Sequence, residues 1–218
     1  MEQTTPSMTG RQKRDIRKLF TDSLDEMGFS RDLAQKVLGN GGRLKKGVKN
    51  LLVELSASDL LETVGTVAVQ AIATFSAKDH FKVNTSGEVK IGYIWDGFSN
   101  AFLAGDGKVE ADIAEATLRV HKLVKNSVDG PIIAELGGEE VAETSLAQMY
   151  ELMKAQGQGQ QGILLTNGYA NIFYVRDVKG VLWVADCRWS SGYDYWDVNA
   201  YPVTYPDTWR AGDQVFSC

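Results

Sequence analysis

Tyr195, Asp197, Asn199 and Tyr201 fall on alternate positions of one short run, and Arg188 lies on the run before it. Alternate residues of a strand share a face, so this spacing gathers two aromatic rings, a carboxylate, an amide and a guanidinium on one side of a sheet. Aromatic faces stack on flat or apolar groups while the polar members fix orientation. The chemistry on offer is recognition. For catalysis the inventory is thin. His80 and His121 are far apart in the chain, so local spacing builds no histidine metal site. Cys187 falls on an apolar strand face, where a thiol packs rather than attacks, and a Cys187–His121 pair is the remaining nucleophilic arrangement. Gly157, Gly159 and Gly162 spell G-x-G-x-x-G, yet a dinucleotide site needs a strand before and a helix after. Here the order is reversed, so the glycines read as a helix stop and a loop, and no cofactor is expected. Asp106-Gly107 lacks the alternating acidic ligands of a calcium loop, and neither G-x-S-x-G nor a Walker sequence is present.

The elements that must position these residues lie in the last quarter of the chain. Ile163–Thr166, Tyr169–Asp177, Val181–Trp189 and Tyr195–Val203 alternate with Asn167-Gly168, Val178-Lys179-Gly180 and Ser190-Ser191-Gly192, which predicts a four-stranded antiparallel meander over 163–203. Parity then sorts its side chains. Trp183, Ala185, Cys187 and Trp189 share an apolar face, and Trp196, Val198 and Ala200 match it from the next strand. Val184 is followed on the opposite face by Asp186 and Arg188, alongside Tyr195, Asp197, Asn199 and Tyr201. The tryptophans therefore belong to packing, and the tyrosines with Asp197 and Asn199 to a surface that holds a ligand or simply faces water.

Upstream, residues 8–78 read as helical. Ile16, Leu19, Phe20, Leu24 and Met27 recur at three- and four-residue spacing over 11–27, which is one helix face. A second helix carries Leu33, Val37 and Leu38, and a third Leu44, Val48, Leu51, Leu52 and Leu55. A fourth runs from Leu60 to Phe75 behind Ser56-Ala57-Ser58-Asp59, which has capping-box spacing. Further on, 81–83 and 89–95 flank a hairpin turn, 117–126 lean to strand on Leu118, Val120 and Lys122, Asp129-Gly130-Pro131 starts a helix ending at Gly137, and Thr144 caps another running to Gly157. The fold class is α+β: an N-terminal helical bundle over 1–78, then a mixed body over 79–218 that ends in the meander.

Hydrophobic content of 44 % and aromatic content of 10 % supply a full core, and two cysteines do not make a disulfide framework. No segment is long and apolar enough to span a bilayer, and a polar start without an apolar core argues against a secretory signal. A cytoplasmic protein with no membrane contact is expected. Net charge is −5 but uneven: residues 1–50 hold 11 Lys/Arg against 6 Asp/Glu, a basic region that suits an acidic partner.

Two resemblances bear on partners. Gly39-Asn40-Gly41-Gly42 between two short helices resembles the G-x-x-G loop of the KH family of nucleic-acid-binding domains, which clamps a phosphate backbone. The match covers about a dozen residues, with Arg43, Lys45 and Lys46 following. It departs from the family where Lys45 stands at the apolar position after the loop and where 11–27 read as helix rather than strand. A helix–Gly–helix corner accounts for the same residues. Across most of the chain, the runs Asn126-Ser127-Val128-Asp129-Gly130-Pro131, Leu164-Leu165-Thr166-Asn167-Gly168-Tyr169 and Thr9-Gly10-Arg11-Gln12-Lys13-Arg14-Asp15 are similar to a recurring group of uncharacterised small bacterial proteins, a resemblance that implies a bacterial origin and no activity.

The reading favoured by these residues is a non-enzymatic binding protein whose surface is Tyr195, Asp197, Asn199, Tyr201 and Arg188, for an unknown protein or small ligand. The alternative is nucleic-acid binding through residues 10–50, with Gly39, Asn40, Gly41, Gly42, Arg43, Lys45 and Lys46 as the contact set. A hydrolase or transferase acting through Cys187 is a third class.

Overall fold

The computed structural model describes residues 9–26, 28, 30, 31, 35, 36, 39, 42, 45 and 60–218. The chain divides into two compact units, Met1–Ser56 and Ala57–Cys218. In the first, α1 spans Gly10–Glu26, in line with the predicted first helix. The predicted second and third helices lie largely outside the described residues.

The second unit is built on a sheet where the sequence suggested a helix. Residues 60–75 do not form the fourth helix of a bundle: Leu61–Val69 is strand β1 and Ile72–Ser76 is strand β2. The apolar positions fit both periods, but Thr63, Val64, Thr66, Val67, Val69, Ile72 and Thr74 are β-branched and prefer a pleated backbone, and Gly65 weakens a helix interior. The following elements are α2 (Ala77–His80), β3 (Ile91–Ile94), α3 (Asp96–Phe98), β4 (Val109–Ile113), β5 (Ala116–Leu123), α4 (Asp129–Leu136), α5 (Glu139–Ala142), α6 (Leu146–Ala155), β6 (Asn171–Arg176), β7 (Leu182–Ser190), β8 (Tyr195–Pro202) and β9 (Gln214–Ser217). A π-helical turn, Ser99–Leu103, continues α3. Seven of these strands form a sheet in the order β1-β5-β9-β6-β7-β8-β3, mostly antiparallel, with parallel pairs at β6/β9 and β3/β8; β2 and β4 pair separately.

Three of the four predicted meander strands are present as β6, β7 and β8, antiparallel and in sequence. The first is not. Residues 163–166 run beside the sheet without joining it because side-chain amides take their backbone groups: Gln156 bonds both N and O of Leu164, at 2.7 and 3.0 Å, and Asn171 bonds both N and O of Leu165, at 2.8 and 3.0 Å. The neighbour of β6 is instead β9, from the end of the chain. The predicted hairpin over 81–95 is reduced to a single bridge between Asn84 and Ile91, and β3 pairs with β8.

Both faces of the sheet carry a core. On one, Phe173, Ala185, Cys187, Trp189, Trp196, Val198 and Phe216 pack with Leu146, Met149 and Met153 of α6 and with Phe75, Phe81, Phe98 and Phe102. Phe173 and Phe216 stack at 4.5 Å between centroids, which ties β6 to β9. On the other face, Leu123, Ile172, Tyr174, Val184 and Val215 meet Ile132, Ile133 and Leu136 of α4. Helix α4 stops at Gly137, whose φ of 107° suits a residue without Cβ. Helix α6 is capped by Ser145 rather than Thr144: the Ser145 hydroxyl accepts from Gln148 N, and the Gln148 side chain returns to Ser145 N. The Thr144 hydroxyl donates to the Tyr174 carbonyl at 3.1 Å. The buried Glu110 carboxylate accepts from Leu146 N and Ala147 N, at 3.2 and 2.8 Å, so it meets the positive end of α6.

Candidate functional site

Strand register builds the site. In the β7/β8 ladder Ser190 lies opposite Tyr195, Arg188 opposite Asp197, Asp186 opposite Asn199 and Val184 opposite Tyr201. All five residues proposed from parity therefore share one face, the face on which α4 covers the sheet farther along. Beyond Val184 that cover ends, and the face turns from apolar to charged.

Arg188 is fixed from below. Its Nε donates to Asp186 Oδ1 at 2.8 Å, and its guanidinium lies 5.7 Å from the Trp209 ring centroid, within cation–π range. Among the described residues neither Nη nitrogen has an acceptor. Asp186 is buried, and its pKa is raised from the ordinary 3.8 to about 6. Burial does this; Arg188 pulls the other way, and Asp213 and Asp197 add to the rise. Burial would lower the Arg188 pKa, but Asp186 and Asp213 outweigh it and hold the guanidinium charged. Asp197 is raised too, again by burial against Arg188. Asp186 Oδ2 and Asp197 Oδ1 have no donor among the described residues.

Aromatic rings wall the adjoining cavity. Tyr201 stacks on Tyr205 at 5.1 Å with planes 23° apart, and meets Trp209 edge-on at 6.3 Å. Its hydroxyl accepts from Asn199 Nδ2 at 2.6 Å, which locks the ring's position. Trp209 is held three ways: two backbone bonds to Ser127 and an indole N–H donated to Asp129 Oδ1 at 2.7 Å. The same Asp129 oxygen accepts from the Tyr174 hydroxyl at 2.9 Å; burial raises the Asp129 pKa against these two bonds. The space between Arg188, Tyr201, Tyr205 and Trp209 is a cavity of about 160 Å³, with Asp129 and Asp207 at its margin. A second, more open cavity of about 440 Å³ lies across Asn199 and Tyr201, lined also by Tyr93 and Trp95.

The structure thus brings Arg188 and Tyr201 into one cavity and Asn199 and Tyr201 into its neighbour. Asp197 and Tyr195 share the face but line neither. Tyr195 lies flat over Gly92, where an added Cβ would run into its ring, and it stacks on Tyr193 at 5.6 Å. Strand parity could not include Tyr205, Trp209 or Asp129, which arrive from a loop and from the start of α4. One local signal existed: Tyr205-Pro206-Asp207-Thr208-Trp209 is an aromatic-flanked turn sequence.

No family model, curated protein or solved structure matches this chain.

Elsewhere the chemistry-bearing residues serve packing. Cys187 is fully buried, and burial pushes its thiol well above the ordinary value, the wrong direction for a nucleophile. His121 bonds Thr63 Oγ1 at 3.0 Å and Ser217 Oγ at 3.2 Å inside the sheet, and burial lowers its pKa. His80 stacks on Phe75 at 4.3 Å. Among the described residues no three His, Cys, Asp or Glu side chains converge as a metal site requires. The G-x-G-x-x-G glycines permit close approach: a Cβ on Gly159 would collide with the Trp189 ring, and one on Gly157 with the Glu88 carbonyl oxygen. Of the residues of the KH-like segment, Gly39, Gly42 and Lys45 are helical, while Asn40, Gly41, Arg43 and Lys46 lie outside the described residues. Among the described residues no helix is long and apolar enough to cross a membrane.

Proposed function

We propose that this is a non-enzymatic binding protein whose recognition surface is the exposed end of the β7/β8 face, centred on Arg188, Asn199 and Tyr201. The observation that carries the reading is the guanidinium of Arg188: its Nε is spent on a buried carboxylate, its Nη groups are unspent, and it borders a cavity walled by three aromatic rings. Such a mix of apolar wall and few fixed polar groups is what small-ligand sites use. The side chains stand on strands and are braced by Asn199, Asp186 and Asp129, so little ordering is left to occur on binding. Asp197 and Tyr195 extend the same face. A bacterial, cytoplasmic setting belongs to this proposal and rests on the resemblance and on the low cysteine content.

The test uses protein labelled with 5-fluorotryptophan and a library of small fragments, followed by fluorine NMR. Fragments that bind are expected to shift the Trp209 and Trp95 signals. Those shifts are expected to vanish in Tyr201→Ala plus Tyr205→Ala while the Trp189 and Trp196 signals keep their native positions. Hits that move Trp189 or Trp196 while Trp209, Trp95 and Trp183 stay in place, or that persist in the double variant, would refute the assignment.

A further inference from the structure

We infer that the ligand of this face is a neutral carbohydrate chain, with one pyranose ring seated against Tyr201, Tyr205 and Trp209 and the next ring over Trp95. The inference rests on the recognition-surface reading and names its ligand class.

Charge sorts the candidates first. An anion would be drawn to the Arg188 Nη groups, but it would have to approach Asp129 and Asp207, which line the cavity, with Asp186 and Asp197 behind them on the strand face. The cavity wall thus already carries two acceptor-only carboxylates. Another acceptor-only group worsens that imbalance. A cation meets the opposite difficulty. The Trp209 ring, the one with the strongest quadrupole, already carries the Arg188 guanidinium at 5.7 Å, and a second cation would sit beside it.

A hydroxyl group donates and accepts at once, and carries no charge. It can accept from the Arg188 Nη groups and donate to Asp129 or Asp207 around the same cavity. Several hydroxyls on one rigid ring do this together. The apolar C–H face of a pyranose then lies on an aromatic ring, where slightly positive hydrogens meet the negative π face.

Size and layout agree. A cavity of about 160 Å³ is smaller than the roughly 300–1,000 Å³ of drug-sized pockets, so it seats one small ring rather than a cofactor. Tyr201 also lines the neighbouring cavity of about 440 Å³, where Tyr93 and Trp95 pack edge to face at 4.9 Å. A chain leaving the first cavity over Tyr201 enters the second without losing an aromatic wall.

The experiment titrates the whole protein with cellohexaose, maltohexaose, xylohexaose and N-acetylchitohexaose, by calorimetry and tryptophan fluorescence. Tetramethylammonium, benzoate and decaproline serve as cationic, anionic and extended-peptide comparators. At least one hexaose is expected to bind with Kd at or below ~1 mM. Its affinity should change less than about twofold between ~50 and ~500 mM NaCl, because no charge pair is being screened. Tyr205→Ala, an exposed position, is expected to weaken it at least about tenfold with an unchanged melting temperature. Tyr193→Ala, on a ring that lines neither cavity, should leave it unchanged. No heat and no fluorescence change with any hexaose at ~10 mM would overturn the inference. If a comparator binds instead and is lost in Tyr205→Ala, the recognition surface stands and the carbohydrate assignment falls.

Discussion

Asp186 should make the stability of this protein depend on pH in a direction opposite to ordinary surface carboxylates. Its folded-state pKa lies at about 6, against an ordinary 3.8, because burial outweighs the attraction of Arg188. The folded protein therefore holds this proton more tightly than the unfolded chain does. Stability from the group is full below about pH 4 and is lost as pH rises through about 6. Each pKa unit corresponds to about 1.4 kcal/mol, so the displacement is worth about 3 kcal/mol. For a chain of this size that is about 6–12 °C in Tm. Asp129 and Asp197 are displaced upward as well and act in the same sense, whereas His121 is displaced downward and acts against them as pH falls. A single melting curve would mix these contributions, so the informative quantity is a difference. Asp186→Asn keeps the shape and an oxygen for Arg188 Nε while removing the titration. Melting of both proteins at half-unit steps between about pH 4 and 8 should show the wild type losing about 6–12 °C relative to the variant across that range. Two parallel curves would refute the reasoning, because they would mean that Asp186 titrates alike in the folded and unfolded states.

Other positions give sharper structural tests. Glu110→Ala leaves the Leu146 and Ala147 amides and Lys108 without their acceptor, and should cost about 2–3 kcal/mol in urea unfolding. Gly159→Ala places a methyl against the Trp189 ring at a φ of 73° and should cost about 3 kcal/mol, with a shift in tryptophan emission. In the native protein a thiol reagent should label Cys218 and spare Cys187, with the second thiol reacting only after denaturation.

The parts of the fold that were legible are those where local chemistry and tertiary environment agree. Strands β7 and β8 have short turns and a strict alternation of Trp183, Ala185, Cys187 and Trp189 against Leu182, Val184, Asp186 and Arg188, so both their existence and their faces follow from the residues. At Leu60–Phe75 the apolar residues satisfy three- and four-residue spacing as well as alternation, and the pairing of β1 with β5 decides the outcome. That partner is distant in the chain, so the period alone pointed to helix. Residues 163–166 fail for a different reason. Their pattern suits a strand, but Gln156 and Asn171 take the backbone bonds that a neighbouring strand would have used. Side-chain competition of this kind leaves no periodic trace.

The same division runs through the site. Arg188, Asp197, Asn199 and Tyr201 share a face because β7 and β8 are adjacent, which parity anticipates. The cavity requires more than a face. It exists because Trp209 is drawn to Ser127 by two backbone bonds and to Asp129 by its indole N–H, at the point where α4 begins. Asp129 also receives the Tyr174 hydroxyl from the sheet, so one buried carboxylate joins the sheet, the covering helix and the loop that carries Tyr205. Where α4 covers the face, Ile172, Val184 and Val215 make an ordinary core. Where that cover stops, the same face continues through the buried Asp186 to Arg188 and Asn199, with Trp209 at the border between dry and wet. A recognition surface placed there inherits its rigidity from the adjacent core. That is why its floor was readable from strand alternation, while its wall depended on contacts between segments roughly eighty residues apart in sequence.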